Sequence, residues 1–220
     1  CTSLTTVVLP KNITFVHGFK DCTSLKTIEI PDSVTSIGYE AFANCKSLES
    51  IHLPDGVTNI GGLAFAHCYA LKEINLPDSL TTIGEEAFLG VPIAEVVIPA
   101  NVTEIADWTF YYNGELRSLT LPDGLKKIGA NAFCGASKLQ SVELPESLEE
   151  IGDAAFRESG LTSITIPGNV KRLGGAFIYC KNLEKVSIAP GVETIGADAF
   201  LECSKLTEAT LASTVTTIES

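Results

Sequence analysis

The sequence predicts a solenoid, a stack of about ten coils of 21–23 residues whose strands pair side by side from coil to coil. Two observations predict it. Phe19, Phe42, Phe65, Phe88, Phe110, Phe133, Phe156, Phe177 and Phe200 recur at intervals of 21–23 residues, so nine of the ten phenylalanines fill one column. In phase with them runs a second pattern, LKTIEI at Leu25–Ile30, LESIHL at Leu48–Leu53 and LRSLTL at Leu116–Leu121, each closed by proline. No linker or shift in composition divides residues 1–220, which read as a single domain.

Each element of the coil has a local reason. In Leu25–Ile30, Ile28 and Ile30 alternate with Thr27 and Glu29, the period of two of a half-buried strand. Pro31 ends that strand because it has no N–H to give to a ladder. Pro-Asp-Ser at residues 31–33 is turn chemistry. Val34 and Ile37, three apart, carry the chain back over the core. The stretch IGYEAFANC, Ile37 to Cys45, then completes the coil. Its glycine is expected to permit a tight turn. Ala41-Phe42 is expected to plug the core from a short helical turn, and Cys45 to act as a small buried filler. One coil cannot bury its own apolar face; stacking neighbours about 4.8 Å apart does so.

Composition narrows the function. With 45% hydrophobic residues the chain can build a substantial core, and with a net charge of −12 and a pI near 4.6 it lacks the basic footprint of nucleic-acid or anionic-membrane binding. No apolar run is long enough to span a bilayer. Methionine is absent even from position 1, and both ends fall inside the repeat pattern. The segment is therefore expected to be the interior of a longer array, with capping coils outside it. Nucleotide-loop, zinc-protease and nucleophile-elbow motifs are absent, so neither catalysis nor a cofactor is expected. The turn acids Asp32, Asp55, Asp78, Asp123 and Glu146 recur from coil to coil, but no single copy offers the dense acidic loop that calcium requires, so no metal is expected.

The strand pattern L-x-x-I-x-I resembles the start of a leucine-rich repeat. Pro-Asp-x-Val stands where the commonest type carries an asparagine ladder. The Ile-Gly-x-x-Ala-Phe-x-x-Cys half resembles the BspA-like leucine-rich repeat family, and the resemblance covers essentially the whole chain. It implies an α/β, β-rich, right-handed superhelix, with one parallel β-sheet on the concave face and short helical turns opposite. It also implies an extracellular setting: secreted or cell-surface proteins of bacteria and some protists, adhesins among them.

The cysteine column holds Cys1, Cys22, Cys45, Cys68, Cys180 and Cys203, but Val91, Asn113, Ala136 and Ser159 fill the same position in other copies. A position that accepts valine and alanine asks for small size, not for a thiol. Coil spacing alone would allow bridges between neighbours, while parallel Cβ vectors disfavour them. Cys134 lies two residues earlier in its coil and is expected to be partly exposed.

Two groups of residues stand out as candidates for binding an extracellular protein ligand, from a host or a neighbouring cell. On the strand face, Ser, Thr and Glu dominate the polar columns and no aromatic occurs, and His52, Glu73, Asn75 and Glu95 form the densest cluster of functional side chains. In DWTFYY, residues 107–112, the repeat departs from itself: Ala106 replaces glycine, Thr109 replaces alanine and Asn113 replaces cysteine. There Trp108, Tyr111 and Tyr112 read as interface anchors, with Trp108 expected to be exposed. The alternative is a passive stalk that holds other domains away from a surface.

Overall fold

A computed structural model describes residues 1–219. The chain winds into parallel coils stitched by two β-ladders rather than one. The first ladder uses the sequence-predicted strands: Thr27–Glu29 pairs with Ser50–His52, Glu95–Val97 with Ser118–Thr120, and Ser163–Ile166 with Lys185–Ile188 and then Glu208–Leu211. The second runs through the Val/Ile turn-back, beginning Phe15–Val16, Ser36–Ile37, Asn59–Ile60 and Thr82–Ile83, in strands of two residues each. Every pairing between these strands joins repeat-equivalent residues, as in Ile28 with Ile51 and Glu29 with His52. Alternation survives in the strands: in Ser163–Ile166 the isoleucines are buried while Ser163 and Thr165 face solvent.

The core is one continuous cluster from Val16 to Cys203. Its spine is the phenylalanine column. Successive rings stack with centroids 5.2–5.8 Å apart and planes within 15° of parallel. That spacing is coil spacing, and it is also a favourable offset-stacked geometry. Phe42 through Phe177 are fully buried, while Phe19 and Phe200 near the two ends are half-buried.

The helical turns expected opposite the strands do not form; no described residue is helical. The reason lies in the backbone. Glu40, Leu63, Glu86, Trp108, Asn131 and Ala154 occupy one column and all have φ between 52° and 60°. A left-handed residue cannot continue a right-handed helix. The hydrogen bonds follow suit. The N–H groups of Glu40, Phe42 and Asn44 donate across to the carbonyls of Gly62, Ala64 and Ala66 in the next coil, at 2.8–2.9 Å. Those of Ala41, Ala43 and Cys45 close local turns onto Gly38, Glu40 and Phe42 at 3.0–3.2 Å. Alternate donors thus serve the neighbouring coil, which a helix would not allow.

The column glycine also has a different task from the one expected. A β-carbon at Gly84 would lie 2.4 Å from the backbone nitrogen of Gly62. The position is kept bare by the approach of the preceding coil, not by a positive φ.

Candidate protein-binding face

The strand-face candidates divide on inspection. His52, Glu73 and Glu95 are exposed, in three successive coils. Asn75 is not free to bind. Its amide nitrogen donates to the Leu53 carbonyl at 2.7 Å, and its amide oxygen accepts from the Leu53 N–H at 3.0 Å. The first ladder has no strand in this coil, and the Asn75 side chain takes the place of the missing backbone pair. Its role is structural stitching.

The aromatic candidates do come together. The Trp108 and Tyr111 ring centroids are 4.6 Å apart at a 67° interplanar angle, and those of Tyr111 and Tyr112 are 4.1 Å apart. Trp108 is half-buried rather than exposed, because the edge-on contact with Tyr111 covers part of it. Tyr112 is 59% exposed and forms the outer member of the cluster. The neighbouring Tyr112 hydroxyl, together with partial burial, pushes the Tyr111 phenol up to about 12, so that hydroxyl stays neutral at physiological pH.

The polar departures from the repeat around this cluster differ in how they are satisfied. Thr109, fully buried in the alanine column, donates its hydroxyl to the backbone carbonyl of Ala106 at 2.8 Å, which satisfies its one added polar group. Asn113 has no such arrangement: its amide is fully buried and neither polar atom finds a partner. Elsewhere in its column the residue is more than a small filler. The thiols of Cys45, Cys68, Cys180 and Cys203 donate to the carbonyls of Phe19, Phe42, Phe156 and Phe177 in the preceding coil at 3.0–3.2 Å. All seven cysteines are free thiols. Cys134, expected to be partly exposed, is buried at 3% exposure, beneath the turn that carries it.

Placement gives a signal that column reading alone does not. All five tyrosines, Tyr39, Tyr69, Tyr111, Tyr112 and Tyr179, and the single tryptophan lie in the Phe-bearing turn segments, and none lies on a strand of the first ladder. Tyr179 joins this face with a cation: the Arg157 guanidinium sits 5.3 Å from its ring centroid and pairs with Glu158. Sequence reasoning passed over Tyr179 and Arg157; their coils are adjacent, and the signal was the shared turn segment.

A crystal structure of a leucine-rich repeat protein from Bacteroides ovatus matches with a TM-score of 0.69 and 32% identity, over 98% of this chain and 71% of that one. A leucine rich cell surface protein from Faecalibacterium prausnitzii matches at 27% identity over 95% of this chain and 79% of that one, with a TM-score of 0.47. A leucine rich repeat protein from T. pallidum matches at 29% identity over 92% and 78%, with a TM-score of 0.41. No functionally curated protein matches the chain. The model of the BspA type leucine rich repeat region matches residues 1–117 and 107–220, and with coils, columns and match in agreement, the chain belongs to the BspA type leucine-rich repeat family.

Proposed function

We propose that the chain is a non-catalytic protein-binding module of a secreted or cell-surface bacterial protein, acting in adhesion. The observation that carries this reading is the segregation of its aromatics. Buried columns consume almost every phenylalanine, while tyrosine and tryptophan gather on the turn face, where Trp108, Tyr111 and Tyr112 touch. Amphipathic rings held rigidly on a scaffold are the side chains that dominate protein interfaces. Leucine-rich repeat proteins are generally scaffolds for interaction, and no helix among the described residues is long and apolar enough to cross a membrane.

The test is a screen of the immobilised chain against extracellular-matrix and cell-surface proteins, followed by Trp108→Ala, Tyr112→Ala and Glu73→Lys/Glu95→Lys variants. The expected result is a ligand lost with the aromatic substitutions. Loss with the Glu73/Glu95 pair instead would move the site to the strand face. Absence of any ligand would leave the chain as a stalk.

A further inference from the structure

We infer that the Trp108 cluster recognises a basic segment of its partner protein, one whose arginine or lysine side chains lie over the aromatic rings and pair with Glu85, Glu86 and Asp107. The inference rests on the protein-binding reading above and names the chemistry of the ligand.

Charge at the cluster points one way. Two columns follow the column glycine in each coil, and Trp108 stands in the second of them. Across the coils these columns carry Glu40, Glu85, Glu86, Asp107, Asp153 and Asp198, and no lysine or arginine. Glu40 is neutralised by Lys20 at 2.6 Å. Glu85, Glu86 and Asp107 form no ion pair among the described residues.

These three carboxylates neighbour the tryptophan, and the Asp107 carboxylate also accepts the Ala130 N–H at 2.8 Å. Asp107 precedes it in sequence, and Glu85 and Glu86 occupy the equivalent positions one coil earlier, where the Glu86 N–H donates to the Asp107 carbonyl at 3.2 Å. Glu85 and Asp107 are exposed, and Glu86 is half-buried. Two cations of the following coils are already committed, Lys127 to Glu150 at 2.9 Å and Arg157 to Glu158 and the Tyr179 ring.

An indole beside carboxylates that form no ion pair is complementary to a cation in two ways. The ring quadrupole attracts it, and the carboxylates neutralise it. An acidic or phosphorylated segment would meet like charge with no free guanidinium to answer it. On a chain of net charge −12, the same field would steer a basic partner in.

Trp108 is the only tryptophan, so its fluorescence reports this site alone. The chain would be titrated with a short peptide of alternating arginine and serine, and with its glutamate counterpart, while Trp108 emission is followed. The arginine peptide is expected to shift the emission, more weakly as salt rises. Glu85→Gln/Glu86→Gln is expected to weaken binding about fivefold, the weight of two exposed ion pairs with the indole left in place. Asp198→Asn, in the Trp108 column four coils on, is expected to leave it unchanged, and urea midpoints would show that both variants fold. Equal binding of the glutamate peptide, an emission that does not respond, or equal weakening by Asp198→Asn would overturn the inference. A protein ligand that needs Trp108 yet has no basic segment would overturn it too, while leaving the protein-binding reading in place.

Discussion

The Tyr112 ring rests against the bare backbone of Gly135 in the next coil. A β-carbon built there would come within 2.7 Å of Tyr112 Cδ1, and Gly135 has a φ of 79°. Gly135→Ala therefore meets two penalties, a left-handed alanine and a displaced ring. The expected cost is about 1–2 kcal/mol in urea unfolding. Emission from Trp108, two rings away, should change with it, whereas a purely backbone effect would leave the emission alone.

Asn113 should be the easiest place to stabilise the chain. A buried amide with both atoms unpartnered costs about 1–3 kcal/mol. Asn113→Cys restores the residue that six other coils carry, and with it a thiol able to donate to the carbonyl of Phe88. Thermal and urea unfolding should show a gain of that order. An unchanged midpoint would mean that the amide is satisfied in solution.

Asn75 separates stitching from binding. Its two bonds to Leu53 replace a ladder pair, so Asn75→Ala should cost about 1–3 kcal/mol and open that coil to hydrogen exchange. Ligand affinity should not change. A loss of affinity without a loss of stability would return Asn75 to the binding face.

The thiols predict an alkaline limit. Burial pushes Cys45 up to about 12 and Cys134 up to about 11 from the ordinary 9.0, and Cys68 is raised as well. The folded chain holds these protons more tightly than the unfolded chain does. Their stabilisation is therefore complete below pH 9 and is lost as pH rises towards 11–12. Cys45→Ala, the residue found at Ala136 in the same column, should flatten that loss in unfolding experiments across the range. In the folded chain a thiol-alkylating reagent should label exposed Cys1 and spare the six buried cysteines, as mass spectrometry of the products would show.

The coil, its phase and its buried columns were legible because periodic burial writes itself into sequence. Phe42 and Ile28 recur because every coil needs them in the same place. The second ladder was not legible, since a strand as short as Ser36–Ile37 has no period to read. The missing helix was hidden for a related reason: Leu63, Glu86 and Trp108 disfavour the left-handed region that the inter-coil bonds impose on them. At the candidate site, residue type announced Trp108 and Tyr112. It could not show that Tyr111 half-covers the indole, or that Asn75 is spent on its own backbone.

The cross-coil bonds from Glu40, Phe42 and Asn44 have a genetic corollary. Along the Phe-bearing turn each coil meets its neighbour through equivalent backbone donors and acceptors, so coils present matching edges there. A deletion or duplication of one whole unit would rejoin matching columns, and units of 21, 22 and 23 residues already coexist in phase. Unequal recombination between copies could therefore lengthen or shorten the array without breaking the fold. It could also carry a variant coil, such as the one bearing Trp108, to a new height along the stack.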